Sequence, residues 1–309
     1  MDAPKMAISA WSHSKMNIPW DDVQLFLAIA ETGSLSAASR QLQLGQPTVS
    51  RRLALLEHQL GYQLFHREVG GAKLTSAGEK LVTPARRMAE WAGEISRAAS
   101  SGDRSPSGTV RITAAPGVAY DFVAPFAGWL AQKYPKLRLE VLTSVQYLDL
   151  ARGEADLAIR WRAPTSEDLT VIASLNHANA AVASKEYVAK LPKNYGFADV
   201  GWIAWSRPFD VLPPNPQLEA LIPDFQPVFT SDNFLVQHRA AEEGLGATIR
   251  GMVRHRFSAP TNLVPLNLDL GPFARSDLFL VSAKSALDTA RIRTVADLLA
   301  KELQRLQKS

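Results

Sequence analysis

At 309 residues, with 46% hydrophobic and 21% charged residues, the chain has room for two or three domains, each with its own core. A formal net charge of +4 permits a local nucleic-acid-binding patch without demanding one. The absence of cysteine excludes disulfides and Cys-based zinc sites and suits a reducing, cytoplasmic compartment.

No apolar run approaches the ~20 residues that span a bilayer, so no membrane partner is expected. Residues 1–16 lack the apolar core of a signal peptide and read as a disordered extension or a start-site artefact. Met16 is an alternative start, because amphipathic patterning begins only at Trp20. Val23, Phe26, Leu27 and Ala30 then follow the i, i+3, i+4, i+7 spacing of a helix, with Gly33 as its stop. Ser34 or Ser36 caps a second helix that turns Leu35, Ala38 and Leu42 inward. Gly45 makes a turn, and Pro47 sits where a first helical turn tolerates a missing N–H. A third helix follows with Val49, Leu53, Leu56 and Leu60 as its buried stripe, ended by Gly61. Gln46, Thr48, Ser50, Arg51 and Arg52 lie off that stripe near its N-terminal end. Tyr62–Phe65 and Lys73–Thr75 read as short strands around a Gly70-Gly71 loop, which makes a wing.

Ser76 and Glu79 have capping-box spacing and open a long helix. Along it Leu81, Ala85, Met88, Ala92, Ile95 and Ala99 form a heptad-like seam, the pattern of a helix that pairs with another. Pro84 should kink it. Residues 100–108, rich in Ser and Gly, read as a hinge. Beyond it, strands at Val110–Ala114, Leu137–Leu142 and Leu157–Ile159 alternate with helices near Pro125–Tyr134 and Val145–Arg152, which implies a mostly parallel sheet with helices on both faces. Further strands are expected at Val171–Leu175, Ala180–Ala183, Trp202–Trp205, Val228–Thr230 and Phe279–Val281. A helix near Asp232–Glu243 ends at Gly244. Ile292, Val295, Leu299, Leu303 and Leu306 mark a C-terminal amphipathic helix.

Many fixed spacings are carried by Phe26, Ala30, Gly33-Ser34, Ala37-Ala38, Leu42, Gln46-Pro47, Val49-Ser50, Leu56-Glu57, Leu60-Gly61, Leu64-Phe65, Arg67, Leu74-Thr75 and Ala77-Gly78. Through them the chain resembles a LysR-type transcriptional regulator. Weaker matches are Gly108-Thr-Val-Arg-Ile112, Tyr134-Pro135 and Gly153-Glu-Ala-Asp-Leu-Ala-Ile-Arg160. The resemblance implies an α/β protein with an all-α winged helix-turn-helix head (17–76), a linker and dimerisation helix (77–100), a hinge (101–108) and a two-lobed α/β effector domain (109–309). The lobes are expected at 109–165 plus 266–309 and at 166–265, like a type 2 periplasmic binding protein. It also implies dimers, often tetramers, whose paired reading helices address a near-palindromic operator.

For DNA, an Arg fork at Arg51 or Arg52 can pair with guanine or hold a phosphate, and Gln46 can pair with adenine. Pro47 and the methyl of Thr48 can touch a thymine methyl, and Ser50 fits a base edge or a phosphate. By resemblance, Gln46, Pro47, Ser50 and Arg51 enter the major groove and Arg67 supports the wing, to which Lys73 adds charge. The competing reading makes Arg51, Arg52 and Lys73 an ordinary solvated face. Two departures from the family stand out: Gly45 replaces a frequent Ser, which removes a side-chain cap, and the wing is poor in arginine, which should lower the salt dependence of binding.

For the effector, the resemblance points to Gly117, Ser144, Arg160, Trp161 and Ser231. Ser144 and Ser231 can hold a carboxylate or simply cap helices. Arg160 can pair with an anion or be tied up structurally, and Trp161 can provide a stacking wall. Gly117 stands where many relatives carry a hydroxyl, and Gly244-Leu-Gly-Ala247 continues as Thr248-Ile-Arg250 where an apolar-Pro ending is usual. An anionic or aromatic small molecule is the expected ligand, and no cofactor or metal is expected. Two rival classes remain. An enzyme would need a phosphate loop, metal-spaced histidines or a nucleophile elbow, none of which is present. A solute-binding protein would account for the two-lobed portion alone but would need export. A regulator without any small-molecule effector is the nearer alternative.

Overall fold

The computed structural model describes residues 17–68, 71–99 and 106–307. The chain divides near residue 103 into two compact units.

The first unit contains α1 (Trp20–Thr32), α2 (Leu35–Gln41), α3 (Gln46–Leu60), β1 (Phe65–Glu68), β2 (Gly71–Leu74) and α4 (Ser76–Ala99). Gly33 and Gly61 end α1 and α3 in the left-handed region, at φ 62° and 82°, where a side chain would be strained. Ser34, not Ser36, caps α2 by accepting the Ala37 N–H at 3.4 Å. Of the expected stripes, Val23, Phe26 and Leu27 of α1, Ala38 of α2, and Val49, Leu53 and Leu56 of α3 are buried in one core, joined by Leu25 and Ile29 of α1 and Ala85 of α4, while Ala30 and Leu60 are only partly buried against it. Each fully buried large apolar side chain contributes roughly 1.5–3 kcal/mol.

The wing departs from expectation. Its strands begin later than Tyr62 and end before Thr75, with Phe65 opposite Leu74 and Glu68 opposite Gly71. Glu57 of α3 explains the delay, because its Oε1 accepts the N–H groups of Leu64 and Phe65 (2.7 and 3.2 Å) and holds the preceding turn out of the ladder. Gly70 of the expected loop lies outside the described residues. The long helix is capped by Thr75, whose Oγ1 accepts the Gly78 N–H at 3.0 Å, and not by Ser76, which is already helical. Pro84 lies inside α4.

The second unit is built on a seven-stranded sheet. Its strands are β3 (Gly108–Ala114), β4 (Leu137–Thr143), β5 (Leu157–Arg160), β6 (Leu169–Ser184), β9 (Thr248–Gly251), β10 (Leu263–Pro265) and β11 (Arg275–Ala283). β7 (Ile203–Trp205) and β8 (Phe229–Ser231) form a separate parallel pair. The order is β10-β6-β11-β5-β3-β4, with β9 also pairing β6. Within the seven-stranded sheet the parallel pairs are β3 with β4 and β3 with β5. β11 returns antiparallel between β5 and β6, so the expected mostly parallel sheet is in fact mixed. Residues 100–105 of the expected hinge lie outside the described residues, and Gly108 already pairs with Leu137.

Helical segments follow in order: α5 (Pro116–Val118), a π-helical turn (Ala119–Val123), α6 (Ala124–Lys133), α7 (Lys185–Val188), α8 (Asn215–Leu221), α9 (Phe234–Glu242) and α10 (Ala290–Gln307). One sheet face buries Ile112, Leu157, Ile159 and Leu280 against Phe126 and Leu130 of α6 and Val295, Leu299 and Leu303 of α10. The opposite face, at Ala158 and Val281, is covered by Leu148 and Leu150. These belong to an irregular loop where a helix over Val145–Arg152 was expected. Side chains there compete for the backbone: Ser144 Oγ accepts the Gln146 N–H, Glu154 Oε2 accepts that of Asp149, and Asp149 Oδ1 accepts that of Arg152.

β6 is one strand where two were expected. Residues 169–178 pair with β11, and residues 179–184 pair with β9 and β10. The first half of β6 thus lies beside β11 in the sheet that also holds β3, β4 and β5. The second lobe has its own core around Ala181, Ala183, Trp202 and Leu218. Trp202 Nε1 donates to Phe197 O and Trp205 Nε1 to Pro213 O, both at 2.9 Å. Buried Asn215 holds the Trp205 backbone through both N–H and C=O.

Candidate nucleic-acid interface and effector site

The N-terminal end of α3 is where the head presents polar groups. Gly45 precedes the helix without a side-chain cap, and Pro47 occupies its first turn. Gln46, Pro47 and Arg51 are exposed, and Thr48 and Ser50 are half-buried, while Val49 and Leu53 are fixed in the core beneath them. This arrangement holds the helix by one flank, with the Thr48 and Val49 N–H groups donating to Gly45 O, and leaves an exposed arginine on its other side. Arg52 is different. Its Nε donates to Asp22 Oδ1 at 2.9 Å and its Nη2 reaches the same oxygen, joining α3 to the first turn of α1. Of the two adjacent arginines expected to meet DNA, the structure commits Arg52 within the head. Lys73 is exposed on β2 opposite His66, and Arg67 lies on β1 opposite Ala72. Spacing alone could not reveal the Asp22 partner or the Glu57 anchor.

The five residues expected at the effector site fall into separate groups. Gly117, in α5, faces Phe234 of α9: a Cβ on Gly117 would stand 3.1 Å from two ring atoms. Ser231 lies at the end of β8, three residues before Phe234. It does not cap α9, because Asn233 does so by accepting the Leu235 N–H at 2.9 Å, while Ser231 Oγ accepts the Asn233 N–H. Ser144 likewise caps no helix, its hydroxyl being engaged in both directions by Gln146. Three residues further on, the Tyr147 ring lies 5.4 Å from the Arg160 guanidinium carbon. Arg160 is 8% exposed, and among the described residues its Nε and Nη2 have no hydrogen-bond partner. Burial lowers its pKa, with Tyr147 pulling the other way. Trp161, 42% exposed, meets the buried His177 ring edge-on at 5.5 Å.

Beside Phe234 stands a polar cluster that the sequence did not disclose. Arg250 of β9 pairs with Asp121 of the π-helical turn and donates from Nη1 to His238 Nδ1 at 3.0 Å. His238 stacks on Phe234, and Tyr120 packs against it. Burial first, then Arg250, lowers the His238 pKa, against opposing pulls from Glu242 and Asp121. An open groove of about 400 Å³ lined by Lys185, Arg239, Glu242, Pro260, Thr261 and Asn262 contains none of the expected effector residues. Among the described residues no group of His, Asp and Glu could hold a metal ion, and no helix is long and apolar enough to cross a membrane.

Two family models match. Residues 20–79 match the bacterial regulatory helix-turn-helix protein, lysR family, and residues 103–304 match the LysR substrate binding domain. An HTH-type transcriptional regulator of Xanthomonas campestris pv. campestris is 34% identical over 140 residues, which cover 45% of this chain and 41% of that protein. The Mau operon transcriptional activator of Paracoccus denitrificans is 28% identical over 230 residues, covering 74% of this chain and 78% of the relative. In structure, a full-length OxyR variant from Pseudomonas aeruginosa aligns over 93% of this chain and 95% of its own, with TM-score 0.63 and 17% identity; this likeness shows the fold.

Proposed function

The chain belongs to the LysR family of bacterial transcriptional regulators, and from that premise we propose that it reads an operator through the N-terminal end of α3 and answers to a small molecule held in its second unit. Gln46, Pro47, Thr48, Ser50 and Arg51 enter the major groove, where Arg51 supplies the guanine or phosphate fork. Arg67 and Lys73 place the wing against phosphates. Arg52 serves the same task indirectly, by fixing through Asp22 the angle at which α3 leaves the head. The observation that carries this reading is the exposed polar tip of α3 above the buried Val49 and Leu53.

Two copies pair through α4, and pairs assemble further into tetramers. Met88, Trp91 and Ile95 are exposed apolar residues of that helix, at 44%, 44% and 69%. Leu81 and Ala85, expected in the same seam, pack instead on the head's own core. Paired heads address two half-sites of a near-palindromic operator. The effector is an anionic or aromatic small molecule. The protein acts by binding in the cytoplasm and catalyses no reaction.

Footprinting of the full chain on fragments of its own genome tests this. Protected segments sharing a two-fold pattern, lost in Arg51→Ala, are expected. Protection without any shared pattern would refute operator reading.

A further inference from the structure

We infer that Arg250 is a latch between the two lobes of the second unit, holding the π-helical turn against β9 and α9 without any ligand, and that protonation of His238 releases it. This adds a regulatory input to the second unit and does not depend on which ligand that unit takes.

The two sides of the latch are anchored in different cores. Asp121 lies in the π-helical turn, whose Ala119, Phe122 and Val123 are buried with Phe126 and Leu280 in the core of the first lobe. Arg250 lies on β9 opposite Ala180 of β6, and the adjoining Ile249 packs on the core of the second lobe. His238 lies on α9, whose Ala241 is buried with Val182 and Ile203. Arg250 pairs with Asp121 through Nη2 and donates to His238 Nδ1 through Nη1 at 3.0 Å. The same guanidinium lies 5.9 Å from the Phe234 ring, which stacks on His238 and faces Gly117. π-Helical turns inside longer helices recur at functional sites, and this one carries the first lobe's half of the latch.

The hydrogen bonds fix the protonation state. A guanidinium has only donors, so His238 Nδ1 must be the lone-pair nitrogen, and the ring proton sits on Nε2, 3.5 Å from Glu242 Oε1. A second proton would set N–H against N–H and bring two positive charges to hydrogen-bond distance. Arg250 then loses that hold, while Glu242 keeps the charged ring. The Arg250–Asp121 pair left behind is partly exposed, and such a pair contributes little by itself. The titratable and charged groups that face His238 are Tyr120 and Asp121 from the π-helical turn, Arg250 from β9, and Glu242 from its own helix, where Arg239 also pairs with Glu242. His255, in the loop after β9, faces Asp121 and titrates beside the latch. Burial first, then Arg250, keeps His238 neutral at neutral pH. Carboxylates stay mostly charged down to about pH 5, so the change above that point belongs to histidine.

The chain contains no cysteine, so Gln132→Cys on α6 and Lys190→Cys just after α7, both at exposed positions, each take one spin label. The doubly labelled chain is diluted into unlabelled chain, so that an oligomer holds at most one labelled copy. The distance is then read by double electron–electron resonance at about pH 8 and at about pH 5. Without ligand, the alkaline sample should give one short, narrow distance, and the acid sample a longer, broader one. His238→Gln, whose amide oxygen accepts from Arg250 in either sample, should keep the short distance in both, and His255→Gln should respond like the parent. Asp121→Asn should give the long, broad distribution in both. A parent distance unchanged by acid, a response that survives His238→Gln, a response lost in His255→Gln, or a short distance kept by Asp121→Asn would each overturn the inference. Operator binding measured on the same samples separates the two levels: DNA binding without a change of distance leaves the regulator standing and removes this claim alone.

Discussion

Arg52 Nε donates to Asp22 Oδ1 at 2.9 Å, and this ion pair ties α3 to the first turn of α1. Arg51, one residue earlier, points away from the stripe and is exposed. Arg51→Ala should lower operator affinity by roughly 1–3 kcal/mol and relax specificity at one position while leaving the unfolding midpoint of the head unchanged. Arg52→Ala should do the reverse: a partly exposed pair is worth up to about 1 kcal/mol, lost from stability, with affinity falling uniformly across sequences. Anisotropy titrations beside denaturant titrations distinguish the two patterns.

The contact of Gly117 with Phe234 leads to a second expectation. A Cβ at 117 would press on the ring from 3.1 Å, tighter than most Cβ contacts, so Phe234 must give by a few tenths of an ångström. Gly117→Ser should therefore destabilise the second unit by roughly 1–3 kcal/mol, and adding Phe234→Ala should recover most of the loss. A urea series on the two variants is the check. Equal stability of Gly117→Ser and parent would show that Phe234 yields freely.

His238 and His255 give the pH dependence a sign. Burial is the largest cause lowering both below 6.5. His238 is also faced by Arg250, which lowers it, and by Glu242 and Asp121, which raise it; His255 is faced by Asp121 and Glu302, which raise it. Because the folded values lie below the unfolded one, the unfolded chain binds protons first. The contribution is present above pH 6.5 and is lost as pH falls through 6.5 toward the folded values. The unfolding midpoint should drop across that window, and His238→Gln should make the drop shallower.

The apolar face of α4 separates pairing from folding. Ile95→Glu and Met88→Glu should shift the sedimentation of the protein toward a smaller species while leaving it folded. Ala85→Glu should unfold the head, because Ala85 is 7% exposed within its core. An unchanged sedimentation coefficient for the double substitution at 88 and 95 would remove α4 from the interface.

The head was legible in the sequence because its information is local. Helix stops at Gly33 and Gly61, the turn at Gly45 and the stripe from Val49 to Leu56 are each written within a few residues. What stayed hidden was set by distant partners. Asn176, His177 and Asn179 are polar, and residues 176–179 fall between the two expected strands. They are held in one ladder by Asp277 and Ser276, which meet Asn176 and Asn179. The antiparallel entry of β11 between β5 and β6 leaves no trace in either strand's own pattern. The sequence offers Ser144 and Ser231 as helix caps, but Ser144 opens an irregular loop and α9 is capped by Asn233. Resemblance points to Arg160, but the burial of its Nε and Nη2 without a partner among the described residues depends on its surroundings.

The most direct test of the account is competition anisotropy at moderate ionic strength, with a labelled duplex recovered by footprinting, an excess of random duplex, and the parent chain beside Arg51→Ala. The account predicts that the parent keeps its preference for the recovered site, that the preference shrinks by roughly 5- to 150-fold in the variant, and that added salt weakens both binding modes. A parent chain that binds the recovered and random duplexes equally would contradict it.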